Sequence, residues 1–356
     1  MQSHTSEYIC VLLKKVCNEF DIECSKWRSL TTDNANNMKA ASNLFLGSGK
    51  HISCFAHTIH LVVDDVVKGI SSFSHVLDKV KKIVTHFKHS PAAMDMLRKL
   101  QADEGTAEGH IKTLVQSVDT RWNSCLDMLI SFLSISNKVA IVLINRSTTV
   151  KGLPEMLTAS ELLICQDFCD LLMPFKDATE KISGESYVTV SMVIPLILLL
   201  MDKIRKIQLE SAEGILTKEA LLKEADKRFK FLQNNKILVK SSLLDPRFKK
   251  VYLSPLTALE ALKDIAYEMS KNKNIEEDLV RPANDNVPQE ACSKNEGFLE
   301  AHMRSIATLE PLEVTENQEI KLFLSLPFTS WDSDPISKEH IPNAIKAGIG
   351  LPYYTR

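Results

Sequence analysis

The sequence lacks the cysteine pattern of a disulfide-stapled domain and the long apolar run of a membrane helix. Its 8 cysteines are loosely spaced over 356 residues, unlike the dense pairing of small secreted domains. The most apolar stretch, 188–201, is shorter than the roughly 20 residues that a spanning helix needs, and it contains Pro195. We therefore expect reduced intracellular thiols, a buried helix at 188–201 and no membrane partner.

An excess of positive charge is also absent. The chain has 43 basic and 45 acidic residues, so no global basic field favours nucleic acid, and a DNA contact has to come from a local patch. The densest basic stretch is 79–88 (KVKKIVTHFK), which includes Lys81 and Lys82. A Lys-rich helix is usually a solvated face. The functional alternative makes Lys81 and Lys82 DNA contacts.

What the sequence does contain is a strand, helix, strand, helix pattern in residues 29–63. The first predicted strand, 25–32, ends at Asp33, and the second, 51–56, leads into a long helical pattern over 58–87 that bends near 69–72. In open α/β sheets, ligands and catalytic groups collect where strands end. Asp33 is therefore a candidate site residue, although the local pattern alone favours a helix N-cap at this position.

Cys54, His57 and His60 form a Cys-x2-His-x2-His set that could bind a metal. Sulfur and imidazole suit zinc, but a closed tetrahedral site needs a fourth ligand, and zinc fingers space their ligand pairs further apart. We favour a structural role in which the imidazoles satisfy buried carbonyl groups. We accordingly predict no metal site.

Arg121 and Trp122 stand side by side in the stretch 119–124 (DTRWNS). A cation beside an aromatic plane is what a nucleic-acid site uses to hold a phosphate and to stack a base. The alternative is that Trp122 opens the packing face of the next helix, and the sequence alone favours this alternative.

The rest of the chain is predicted to be mainly helical. Apolar periodicity predicts helices at 92–100, 123–145, 158–182, 190–208, 216–232, 236–244 and 256–272. Asp245 and Pro246 are expected to end one helix and start another. Residues 272–310 have few large apolar side chains, which predicts a mobile linker. An amphipathic segment then follows, with apolar residues at Ile320, Leu322, Phe323, Leu324 and Leu326.

Four motifs in order, LTTDNANNM, CFAHTIHLVV, DTRWNS and LLDPRF, resemble those of hAT-type DNA transposases and the BED-finger proteins derived from them. The resemblance implies an RNase H-like fold interrupted by a helical insertion, in which three acids hold divalent metal for strand cleavage and transfer. Asp33 matches the second acid, and Trp122 aligns with a tryptophan that stabilises an extruded base. By the same resemblance the Cys54 and His57 pair braces the active-site region, and the apolar tail segment opens a dimerisation region.

The predicted fold class is α/β plus α, a truncated RNase H-like core with a long all-helical insertion domain. We expect a partial RNase H-like region at 1–120, a helical insertion at 121–272, a flexible linker at 273–312, the start of the dimerisation segment at 313–335 and a divergent tail at 336–356. The first catalytic acid would need a strand before residue 6, and the block with the third acid is not found. A lone carboxylate binds magnesium weakly.

The sequence therefore predicts a transposase-derived nuclear protein without enzymatic activity. It would self-associate or bind a protein partner and keep residual DNA binding, with no cofactor and no small-molecule substrate. The alternative is a fragment of an active hAT transposase that cleaves and transfers DNA strands with Mg²⁺ or Mn²⁺.

Overall fold

The computed structural model describes residues 4–23, 27–118, 122–184, 189–272, 296–307 and 318–331. Within them the chain is mostly helical, with two short strands, β1 (Leu30–Thr32) and β2 (His51–Ser53). The helices are α1 (Ser6–Glu19), α2 (Asn36–Leu46), α3 (Phe55–Gly69), α4 (Ser71–His89), α5 (Pro91–Asp103), α6 (Trp122–Leu133), α7 (Ser136–Ser147), α8 (Ala159–Ile182), α9 (Val193–Lys206), α10 (Ala212–Phe229), α11 (Lys236–Leu244), α12 (Pro255–Asn272), α13 (Glu296–Ala307) and α14 (Gln318–Ser325).

The two strands are parallel neighbours joined through α2. Leu30 pairs with His51, and Thr32 pairs with Ser53. Parallel pairing places the ends of both strands at one edge, where Asp33 and Cys54 follow them. Both strands are shorter than the predicted 25–32 and 51–56, and within the described residues they form the whole sheet. An RNase H-like core therefore remains a proposal.

The chain forms two compact units that are interleaved along the sequence. The first contains Met1–Thr58, Glu180–Leu200 and Phe229–Arg356, and the second contains Ile59–Thr179 and Met201–Arg228. Neither unit ends at residue 120 or residue 272, the expected limits of the insertion. The boundaries between the units fall within helices instead, since α3, α8 and α9 each begin in one unit and end in the other.

Two predicted long helices are interrupted, one as expected and one not. The bend near 69–72 is confirmed, because α3 ends at Gly69 and the extended Ile70 separates it from α4. The single helix predicted at 123–145 is wrong, because α6 and α7 are separated at Ile135. The hydroxyls of Ser134 and Ser136 donate to the carbonyls of Ser131 and Leu133, and such local bonds compete with helix propagation.

The predicted linker and the expected Asp-Pro helix start both need correction. Residues 273–295 and 308–317 lie outside the described part, but 296–307 is the helix α13, which buries Phe298 and His302. Asp245 follows the end of α11 as predicted. Turns rather than a new helix occupy 246–252, and the next helix begins only at Pro255.

No single helix in the described ranges has the length and apolarity needed to cross a membrane. One bent pair, α6 with α7, passes the same length and composition test across a 70° break.

Helix α4 organises the second unit by burying one face and leaving the opposite face polar. The buried face includes Phe73, Val80, Ile83 and Phe87, and the Phe73 ring stacks on that of Phe168 with 3.3 Å between centroids. The basic residues of 79–88 alternate with these apolar positions. As a result, most of them are left at least partly accessible to solvent.

Candidate functional site

Asp33 directly follows β1, and its side chain hydrogen-bonds to the backbone of the next turn. The side chain is exposed, and its Oδ1 accepts the backbone N–H of Ala35 at 3.2 Å. Ala35 precedes the first turn of α2 and has no side-chain cap of its own. Ala35 is itself the N-cap residue of α2, so this bond forms a turn ahead of the helix, and the N-cap predicted at Asp33 is wrong.

The polar residues around Asp33 bond to one another. Asn34 donates from Nδ2 to the Thr58 hydroxyl at 3.0 Å, and that hydroxyl donates to the Cys54 carbonyl at 2.9 Å. His51 Nε2 lies 2.8 Å from the Thr32 hydroxyl. Burial, with Lys39 nearby, lowers the pKa of His51. These bonds fix the ends of both strands to the first turn of α3.

The Cys54, His57 and His60 set spans the end of β2 and the first two turns of α3. His57 and His60 are three residues apart on that helix. Throughout the described ranges, no three or more His, Cys, Asp or Glu side chains come close enough together to hold a metal ion. The structural role predicted for the three residues stays a prediction.

Lys81 and Lys82 line an open cavity of about 630 Å³ in the second unit. Thr85, His86, His89 and Ser90 continue the same wall, which a glycine and a proline of the segment after α7 complete. Thus α4 brings together the two predicted lysines and two histidines that the sequence reasoning did not select. Burial and the Arg146 guanidinium lower the pKa of His86, which favours the neutral ring.

Trp122 begins α6 and is only 8% exposed. This burial agrees with the packing alternative, because a stacked base needs an open ring face. Arg121 lies outside the described residues. Contact of this pair with a base therefore remains a prediction.

The LLDPRF motif forms a buried polar cluster whose partners the sequence did not reveal. Asp245 and Arg247 form an ion pair with Nη2 to Oδ2 at 2.7 Å, and both side chains are buried. Arg247 also donates to the Trp331 carbonyl at 3.2 Å and to the Ser191 hydroxyl at 3.4 Å. The motif thereby ties the turn after α11 to the segment after α14.

Lys249, directly after the motif, holds the C-terminal end of α14. Its side chain is 1% exposed, and Nζ donates to the carbonyls of Phe323 and Leu326. The Phe323 and Phe328 rings lie 5.2 and 5.0 Å from Nζ. Burial lowers the pKa of Lys249 to about 8, while the carbonyls at a helix C-terminus attract a cation.

The predicted dimerisation segment is partly used within its own chain. Ile320 and Phe323 are buried, Leu324 and Leu326 are half-buried, and Leu322 is 56% exposed. Because two of the five side chains are already covered, an interface formed by α14 in this position would use mainly Leu322. Self-association through this segment remains a prediction.

The buried His302, which packs against Phe248 and Trp331, predicts that acid destabilises the fold. His302 Nδ1 lies 2.6 Å from the Tyr252 hydroxyl, and burial lowers the pKa of His302 to about 4. The unfolded chain binds this proton near pH 6.5, so its contribution is complete above that pH and is lost as pH falls through 4. We expect a loss of about 3 kcal/mol between pH 7 and pH 4 from this residue. Urea unfolding of wild type and His302→Gln at both pH values measures it, and equal pH dependence of the two proteins would contradict the assignment.

Comparison with known proteins places these features in a family context. Residues 52–169 match the family described as ZBED1 RNase-like helical domain. The chain is 29% identical over 252 residues to zinc finger BED domain-containing protein 4 of Homo sapiens, covering 70% of this chain and 20% of that protein. It is 26% identical over 253 residues to zinc finger BED domain-containing protein 6 of Homo sapiens and 25% identical to that of Mus musculus, covering 67% of this chain and 25% of each relative.

By these features the described part of the chain is mainly helical, and residues 52–169 are similar to an RNase-like helical domain. The matches confirm the resemblance drawn from the four motifs, to domesticated proteins of the hAT and BED zinc finger type. The chain spans a fifth to a quarter of the length of these relatives.

Proposed function

We propose that this chain is a non-catalytic, transposase-derived binding protein of the nucleus. It contacts DNA through the basic face of α4 and associates with itself or with a protein partner. The observation that carries the proposal is the position of the Asp33 carboxylate, which accepts the Ala35 backbone N–H at the start of α2. A carboxylate held by the turn ahead of α2 is poorly placed to share an ion with other acids.

Strand cleavage by two metal ions requires several carboxylates that converge on ions about 4 Å apart. Within the described ranges, no cluster of acidic, histidine or cysteine side chains meets that requirement. The polar groups near Asp33 bond elsewhere: Asn34 donates to the Thr58 hydroxyl, and His51 bonds to the Thr32 hydroxyl. This arrangement supports a structural use of the strand edge.

The DNA component of the proposal rests on α4, and the nuclear location rests on relatives with BED zinc finger names. Lys81 and Lys82 stand on one wall of an open cavity, where their charges can reach a ligand without rearrangement of the helix. We also propose that the exposed Leu322 of α14 contributes to self-association. A separate part of the proposal is that β1 and β2 belong to an RNase H-like sheet.

We expect no nicking in a plasmid cleavage assay. Supercoiled plasmid incubated with the purified chain and Mg²⁺ or Mn²⁺ should stay supercoiled after the protein is removed, because one carboxylate cannot hold two ions. The Asp33→Ala protein is the matched control and should leave the plasmid unchanged in the same way. Open-circular plasmid that forms with wild type and not with Asp33→Ala would refute the proposal.

A further inference from the structure

Among the residues that the structure describes, every polar side chain lining the cavity on α4 is a hydrogen-bond donor, and none is a carboxylate. Two ammonium groups, two hydroxyls and two imidazoles form its polar wall, in a chain whose net charge is −2. Ammonium groups only donate, and hydroxyls and imidazoles can each donate one proton. The composition of the wall is that of an anion site.

The basic positions run along the helix as a stripe. Lys81 and Lys82 begin it and His89 ends it, eight residues after Lys81, which is about 12 Å at the rise of an α-helix. One strand of a duplex carries a phosphate about every 3.4 Å along the axis. The stripe can therefore face about three successive phosphates, which is more than a single phosphorylated side chain offers.

Ser90 provides a donor at the rim of the cavity. Its hydroxyl oxygen accepts from Arg146 Nη1 at 2.9 Å and from the Ala93 backbone N–H at 3.3 Å. Because both lone pairs are used, the hydroxyl hydrogen is left to donate. The first bond also brings the Arg146 guanidinium to the same rim.

His86 provides an unsatisfied group at the wall. Its Nε2 atom is buried and has no hydrogen-bond partner in the described structure. Buried polar atoms are nearly always bonded in native proteins, and a neutral imidazole can donate from Nε2. Because this atom is closed to solvent, an anion oxygen in the cavity satisfies it once the His86 ring turns toward the cavity.

We propose that this cavity binds the phosphodiester backbone of nucleic acid, with Lys82 and Ser90 as direct contacts and with His86 as a donor whose ring turns toward the phosphate. The inference rests on the proposed function and deepens it by naming the contacts and the chemical group they hold. Contacts to backbone phosphates carry no sequence information, so the site supplies affinity and register without base specificity.

The test is fluorescence anisotropy with the full chain and a labelled DNA duplex over a series of salt concentrations. Lys82→Ala and His86→Phe should each weaken binding about tenfold near 0.1 M salt, and Lys82→Ala should lower the salt slope by about one. The matched control is Lys88→Ala, an exposed lysine of the same helix outside the cavity, which should bind within about twofold of wild type. Thermal unfolding verifies that each variant is folded, and His86→Gln, which keeps a donor, should recover part of the affinity.

The possible failures can be told apart. Wild-type binding that Lys82→Ala and His86→Phe leave unchanged contradicts this inference and leaves the proposed function standing. A wild-type chain that binds no duplex at low salt contradicts the DNA component of the proposed function as well. Displacement of the duplex by a singly phosphorylated peptide at equal concentration would also contradict the inference, since it would identify a different class of ligand.

Discussion

Replacing Arg247 with alanine should lower the free energy of unfolding by about 3–5 kcal/mol. The substitution leaves Asp245, which is 0% exposed, as a buried charge without its guanidinium partner. It also removes the donors to the Trp331 carbonyl and the Ser191 hydroxyl. Urea unfolding followed by tryptophan fluorescence measures the loss, since Trp331 packs on Phe248 within the cluster.

Two comparisons make the Arg247 prediction specific. Lys236→Ala breaks an exposed ion pair with Asp264 and should change stability little, because solvent screens such pairs. The double variant Asp245→Leu/Arg247→Met removes both charges and should recover part of the lost stability. An Arg247→Ala protein as stable as Lys236→Ala would show that the LLDPRF ion pair is not buried in solution.

Replacing Gly214 with alanine should destabilise the second unit by about 2–4 kcal/mol. A Cβ at this position would lie 2.9 Å from Cβ and Cγ of Asp167. Asp167 cannot move freely, because Oδ2 accepts both the backbone N–H and the hydroxyl of Ser211, which in turn accepts the Gly214 N–H at 2.9 Å. The added methyl group would break this cap at the start of α10. Thermal and urea unfolding measure the effect.

The matched control for Gly214 is Gly69→Ala at the end of α3. A Cβ there meets no atom within 4 Å, so the change should be neutral or stabilise the fold by up to about 1 kcal/mol. Equal stability of the two variants would mean that Asp167 and Ser211 do not form the cap described here.

Local features of the fold could be predicted from the sequence because local patterns set them. The helix at 236–244 and the break near Gly69 follow from apolar periodicity and proline chemistry, whereas the N-cap predicted at Asp33 is at Ala35. The break at Ile135 was missed because serine hydroxyls that bond back to the chain give no periodic signal. The α13 helix was missed because a long polar stretch precedes it, although Phe298, Met303 and Ile306 in the helix itself have helical spacing.

The candidate sites depend on contacts between distant residues, which the sequence could not supply. Lys81 and Lys82 were predicted from charge density, but the role of Ser90 depends on Arg146, which is 56 residues away. Arg247 reaches Trp331 across 84 residues. The LLDPRF motif was recognised as a signature, while its function as an anchor for the segment after α14 follows only from the structure.

Manganese binding followed by electron paramagnetic resonance tests most directly whether Asp33 only bonds the turn ahead of α2 or holds metal. The Asp33→Asn variant keeps an oxygen that can accept the Ala35 N–H but loses the charge that binds an ion. We predict that wild type and Asp33→Asn bind Mn²⁺ equally weakly and have similar free energies of unfolding. Binding of one or two ions per chain to wild type at micromolar metal, lost in Asp33→Asn, would contradict the account.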